Sequence, residues 1–180
     1  MAVQDRRQRG GPVVREEKQY DERVMNIDRV ARVVKGGRRF RFRALVVVGD
    51  HKGNVGIGIS KGADVTTAIS KAVDVAKKNI EKISLYKETI PHEAEAKVSG
   101  AHVLIKPAAP GTGIIAGGAI RTVLEVAGVN NVLSKSLGST NKVNIAYATL
   151  KALNSLQSKD KWVTTKPAPK AKATKSKDKA

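Results

Sequence analysis

Residues 34–60 read Val-Lys-Gly-Gly-Arg-Arg-Phe-Arg-Phe-Arg-Ala-Leu-Val-Val-Val-Gly-Asp-His-Lys-Gly-Asn-Val-Gly-Ile-Gly-Ile-Ser. Strict alternation opens residues 38–48. Phe40, Phe42 and Ala44 point one way, and Arg39, Arg41 and Arg43 the other, the period of a strand. Gly36-Gly37 marks a tight turn before it, and Asp50-His51-Lys52-Gly53 marks another after it. In the strand that follows, Val55, Ile57 and Ile59 share one face. Gly56 and Gly58 lie on the other, where something can approach the backbone closely.

Outward from this stretch the periodicity changes. Upstream, Val24 onward reads as a strand. Downstream, Val65, Ile69, Val73, Ala76, Ile80 and Ile83 fall near one helical stripe, with Lys71, Lys78 and Lys82 off it and Asp64 as N-cap. Residues 21–87 therefore read as three antiparallel strands followed by one long helix. A boundary is expected around Pro91, between Glu88 and His92. Beyond it, Glu93–Val98 and Ala101–Lys106 alternate as strands, joined at Ser99-Gly100. A glycine-rich loop from Pro107 to Gly118 enters a helix with Ile120, Val123, Leu124 and Ala127 inward, ended by Gly128. Val132–Leu137 is a strand. Ser139-Thr140-Asn141 caps a last helix with Val143, Ala146, Leu150 and Leu153 inward. Residues 92–156 thus read β-β-α-β-α, and the fold class is α+β in two small domains. Residues 1–20 read as a disordered basic arm, and 157–180 as a disordered Lys/Ala/Pro tail unable to pack a core.

Composition narrows the function. The 180 residues hold 34 Lys and Arg against 16 Asp and Glu, a net charge of +18. Self-repulsion of that size opposes folding unless a polyanion neutralises it. No apolar run approaches the roughly 20 residues that span a bilayer, and no hydrophobic signal segment follows Met1. Nucleic acid, met in the cytoplasm, is the leading partner. Cysteine is absent, which excludes disulfides and thiolate-bound zinc. Aromatics make up 3%, so the core is aliphatic.

The strongest constellation is Arg29, Arg32, Lys35, Arg38, Arg39, Arg41 and Arg43, with no acid between positions 29 and 43. The planar fork of arginine suits phosphate oxygens. Like charges about 6.6–6.8 Å apart along one strand face repel, so an anion explains their tolerance better than a merely solvated face. Gly36, Gly37, Lys52 and Lys61 complete the candidate RNA-binding set. Phe40 and Phe42, turned from the arginines, are assigned to the core. The aromatic-bearing signature of an RNA-recognition motif is absent, which favours recognition of backbone and folded shape.

Enzymatic signals are weaker. Gly111, Gly113, Gly117 and Gly118 precede a helix, as phosphate-binding loops do. The spacing is not a dinucleotide fingerprint, however, and no Gly-Lys-Ser/Thr follows. His51, His92 and His102 are scattered without metal-ligand spacing. Glu93 and Glu95 share a strand face and read as a solvated edge. No cofactor, metal or catalytic residue is expected.

Several stretches, in order, carry a resemblance. They are Val34-Lys-Gly-Gly-Arg38, Val47-Val-Gly-Asp50, Asn54-Val-Gly-Ile-Gly58, Gly111-Thr-Gly-Ile-Ile-Ala-Gly-Gly118, Val123-Leu-Glu-Val-Ala-Gly128 and Gly138-Ser-Thr-Asn141. Over roughly 22–156 the chain resembles the bacterial small-subunit ribosomal protein S-five family. The resemblance implies a first domain like a double-stranded-RNA-binding domain without its leading helix. It implies a second domain with a left-handed βαβ crossover, shared with certain kinases, which explains the nucleotide-like loop. It further implies a structural role in the small ribosomal subunit, with no homo-oligomer. The implied contacts are small-subunit ribosomal RNA, the proteins S-four and S-eight, and messenger RNA near its entrance channel, with an influence on decoding accuracy. The resemblance also implies an association of the turn Lys35–Arg38 with spectinomycin sensitivity, and of Gly111, Gly113, Gly117, Gly118 and Arg121 with the S-four interface. A non-ribosomal RNA chaperone and a kinase-fold nucleotide-binding enzyme are the alternatives.

Overall fold

A computed structural model describes residues 20–158 and Trp162. The arm before Tyr20 and, apart from Gln157, Ser158 and Trp162, the tail lie outside the described residues. Strands β1 (Asp21–Val34) and β2 (Gly37–Gly49) form a long hairpin, and β3 (Asn54–Gly62) pairs antiparallel with β2. Helix α1 (Val65–Lys78) follows, then a short β4 (Ile80–Lys82) on the outer edge of β3. The second half runs β5 (Ala94–Val98), β6 (Ala101–Pro107), β7 (Ile114–Ile115), α2 (Gly118–Ala127), β8 (Val132–Gly138) and α3 (Lys142–Asn154). Its sheet has the order β5-β6-β8-β7, with β7 and β8 parallel around α2.

Two expectations change here. The helical stripe does not continue through Ile80 and Ile83. The helix ends at Lys78, capped at Asn79, and the chain turns into β4; just beyond it Ile83 donates its N–H to Gly53 O at 2.7 Å. The second half also gains a strand, β7, two residues long inside the glycine-rich loop.

The two faces of the first sheet have different fates. Ala44, Val46 and Val48 pack on Ala68, Ala72, Val73 and Ala76 of α1. The glycines of β3 lie on this face and admit the helix. A Cβ on Gly58 would sit 2.1 Å from Ala72 O, and one on Gly56 2.2 Å from Ala76 O. The close approach expected at these glycines is therefore α1 itself. On the opposite face Leu45, Val47, Val55 and Ile57 join one continuous core with Val103, Ile105, Val123, Leu124 and Leu153 of the second half. Ile90, in the expected boundary, is fully buried in that same core.

Polar contacts fasten the halves as well. The last carbonyls of an α-helix lack partners within it. Here the β2–β3 turn supplies some: His51 N–H donates to Val126 O at 3.1 Å and Gly53 N–H to Ala127 O at 3.0 Å. His51 Nδ1 donates to Glu125 O at 2.8 Å while Nε2 faces Asp21 at 3.2 Å. Arg23 pairs with both Asp21 and Glu125. Gly128 ends α2 in the left-handed conformation, φ 86°, as its position after the apolar stripe predicts.

Candidate nucleic-acid interface

The hairpin β1–β2 outruns its sheet. Pairing of β2 with β3 begins at Phe42 opposite Gly62, and α1 starts only at Val65. From Gly37 to Arg41, β2 has only β1 beside it. This distal part is a two-stranded ribbon closed by Lys35-Gly36. Gly36 adopts φ 98° with no atom within 4 Å of its missing Cβ, so the turn geometry and not crowding calls for glycine.

The register sorts the basic residues into two sets. Val30 faces Arg41, Arg32 faces Arg39 and Asp28 faces Arg43, with Lys61 beyond Arg43. Directly opposed residues share a face. Arg32, Arg39, Arg41 and Lys61, with Lys35 at the tip, line a cleft of ≈ 600 Å³ floored by Val30, Ala31 and Val34. Among the described residues, no carboxylate lies within ion-pair distance of Arg32, Arg38, Arg39 or Arg41. Arg43 differs. Its Nη2 lies 2.7 Å from Asp28, whose carboxyl is held below its ordinary range by the hydrogen bond from Arg43, with Asn26 assisting. Asp28 lies one residue upstream of the basic run, and only the pairing register brings it onto Arg43.

Arg29 and Arg38 lie on the other face with Phe40. Phe40 is not core, contrary to its sequence assignment. It is 49% exposed because α1 does not reach it, and the Arg29 guanidinium sits 3.9 Å from its ring centre. Phe42, nearer the helix, does pack on the α1 cluster. Lys52 lies at the far end of β2, about 40 Å from the tip at some 3.3 Å per residue, and is not gathered with the others.

The glycine-rich loop is a separate surface. Gly111 (φ 90°) and Gly113 (φ 74°) need glycine for their backbone conformation. None of Gly111, Gly113, Gly117 and Gly118 has an atom within 4 Å of a built Cβ, so close packing inside the chain is not their role. The loop is held by a residue the sequence did not single out. Asn131, 5% exposed, accepts the N–H of Gly111 at 3.0 Å and of Gly113 at 3.1 Å through Oδ1, and its Nδ2 donates to Glu88 at 3.2 Å. Its only sequence signal was an asparagine just before a strand. Arg121 donates to Ile114 O at 2.8 Å and lies 3.9 Å from Glu125, so it ties β7 to α2.

The remaining polar candidates are apart. His92 contacts Glu93 O and the Gln157 N–H, and His102 pairs with Glu95. Glu93 pairs with Lys106 at 3.3 Å. Among the described residues no helix is long and apolar enough to cross a membrane.

An α+β pair of domains sharing a core, with a projecting ribbon whose Arg32, Arg38, Arg39 and Arg41 meet no carboxylate among the described residues, fits a structural component of a ribonucleoprotein. Residues 20–84 match ribosomal protein S5, N-terminal domain, and residues 96–166 match ribosomal protein S5, C-terminal domain. The chain belongs to the ribosomal protein S5 family, and its role is that of a structural constituent of the small ribosomal subunit.

Proposed function

We propose that the β1–β2 ribbon is the main contact with small-subunit ribosomal RNA, entering folded RNA with Arg32, Arg39, Arg41, Lys35 and Lys61 toward phosphates. The observation that carries this is the gathering, around one cleft, of guanidinium groups with no ion-pair partner among the described residues, on a ribbon that no third strand or helix of those residues covers. Gly36 and Gly37 keep the tip thin, and Arg38 serves the opposite face. Arg43, already paired with Asp28, positions the ribbon more than it binds. Lys52 contributes a separate, weaker contact.

The glycine-rich loop with Arg121 is the surface for a neighbouring protein, with S-four the partner that the resemblance implies. Open space around Gly117 and Gly118, which have neither a positive φ nor a close internal neighbour, supports an external surface passing close to the backbone there. S-eight, messenger RNA near its entrance channel, an effect on decoding accuracy and the absence of catalysis belong to the same reading and rest on the resemblance.

Salt dependence tests the ribbon. A cation withdrawn from one phosphate lowers the slope of log affinity against log salt by about 0.7–0.9. Replacing Arg32, Arg39 and Arg41 by Ala should weaken binding to small-subunit RNA and flatten that slope by about 2–3, whereas Arg43→Ala alone should flatten it by less than a single phosphate does. Filter binding across a salt series measures both. An unchanged slope in the triple variant refutes the assignment.

A further inference from the structure

The face of the ribbon turned from the arginine cleft has its own chemistry. It carries Phe40 at 49% exposure, Val33 at 76%, and the cations Arg29 and Arg38. Three observations make it unusual for a bare surface. The ring is one of two phenylalanines in the chain, and the other is packed. The helix on this face begins only at Val65 and does not reach it, so no helix or further strand of the described residues covers the ring. The central guanidinium carbon of Arg29 lies over the ring, 3.9 Å from its centre, and no carboxylate among the described residues pairs with it. Among the described residues, the acids of β1 pair with Arg23, Arg43, His51 and Lys77, not with Arg29 or Arg38.

We propose that an unpaired nucleobase of small-subunit ribosomal RNA stacks on the Arg29–Phe40 pair, with Arg38 meeting a flanking phosphate. This rests on the reading of the ribbon as the RNA contact and adds a second mode of recognition to it. Bases stack on aromatic rings and on guanidinium planes alike, because every base has a π-face. A guanidinium held over a ring can offer its other side to a base, and keeps N–H groups for phosphate or base edges. Charge selects the occupant: an apolar partner segment would leave Arg29 and Arg38 uncompensated, whereas RNA satisfies ring and cations together. The ribbon then has a division of labour. One face neutralises phosphates and carries the salt dependence. The other stacks and carries affinity that salt barely touches.

The test uses the full chain, small-subunit ribosomal RNA, and assembled small subunits free of messenger. Phe40→Leu keeps the apolar bulk and removes the π-face. It should weaken RNA binding about fivefold or more, the lower end of what removing one base stack costs, with the salt slope and the urea midpoint unchanged. Phe40→Trp should restore binding, and Arg29→Lys, which keeps charge but not the plane, should behave like Phe40→Leu. Ultraviolet cross-linking of the subunits should join the peptide around Phe40 to a single nucleotide. If Phe40→Leu binds as the parent does while the Arg32, Arg39 and Arg41 variant loses affinity, the stack is refuted and the phosphate reading stands. If neither loses affinity, the ribbon reading itself falls. A loss accompanied by a lowered urea midpoint, or a cross-link to protein instead of RNA, also overturns the proposal.

Discussion

Replacing Asn131 by Ala removes the buried side chain that accepts both glycine amides of the glycine-rich loop beside β8. Three hydrogen bonds disappear, from the N–H groups of Gly111 and Gly113 and to Glu88. Each contributes about 0.5–1.5 kcal/mol net, and the buried site cannot refill with water as readily as an exposed one. The expected loss is about 2–4 kcal/mol. With a urea slope of about 2 kcal/mol per molar, the unfolding midpoint falls by about 1–2 M. The loop should loosen before the core does, so the Gly111 and Gly113 amides should exchange with deuterium at least tenfold faster while those of β2 stay protected.

A second variant separates shape from charge. Asn131→Asp keeps the acceptor for both glycine amides but turns a carboxylate oxygen toward Glu88, where Nδ2 now donates at 3.2 Å. Two carboxylates that close repel, so the variant should be destabilised at pH 7. Its deficit relative to the parent should shrink at pH 4.5, as one of the pair protonates. A midpoint for Asn131→Ala within 0.3 M of the parent (about 0.5 kcal/mol), or unchanged exchange at Gly111 and Gly113, would refute the argument.

Two further perturbations test the scaffold. Gly58→Ala places a methyl 2.1 Å from Ala72 O and 2.5 Å from Ala76 N, both backbone atoms, so α1 must move by about 1 Å; overpacking of this kind costs about 1–3 kcal/mol or more, read as a lower urea midpoint. Asp50 is partly desolvated, yet hydrogen bonds from the Asn54 side chain and from the Lys52 and Asn54 N–H groups hold its carboxyl below the usual range. A folded-state pKa depressed in this way contributes stability that is present above the ordinary aspartate pKa and lost as pH falls through the folded value. Asp50→Asn should therefore flatten the acid limb of the urea midpoint against pH, and an equally steep limb in that variant would count against the turn's role.

The parts of the fold legible in the sequence were those set by short-range alternation. The faces of residues 39–44 in β2 followed from period two, and the cap at Gly128 and the cap cluster 139–141 followed from residue type. What escaped was set by how far elements reach. Alternation placed Phe40 and Phe42 on one face correctly, but could not say that α1 begins too late to cover the first of them. Ile80 and Ile83 satisfy a helical period and also the needs of an edge strand, and only the bond from Ile83 to Gly53 decides between them. Charge alone makes Arg29 through Arg43 one patch. The hairpin register divides it between two faces and spends Arg43 on Asp28, a residue just outside that stretch. Asn131 looked like any asparagine in a turn, because its role depends on amides 18 and 20 residues away.

The buried junction bears on how the two surfaces act together. Separate domains on a linker would let the arginine ribbon and the glycine-rich loop move independently. Here β2 runs from the ribbon into the shared core and ends in the turn whose N–H groups cap α2. That helix begins at Gly118, where the loop ends, and Arg121 in its first turns holds the loop's short strand. The path from ribbon to loop is therefore a strand, a hydrogen-bonded turn and a helix, each packed against the same aliphatic core. Such interiors resist small displacements as a solid does. If the ribbon is held in RNA and the loop meets a neighbouring protein, as proposed, fixing the one fixes the orientation in which the other is offered. On that reading the junction, and not either surface alone, makes the chain a spacer of defined geometry between RNA and protein.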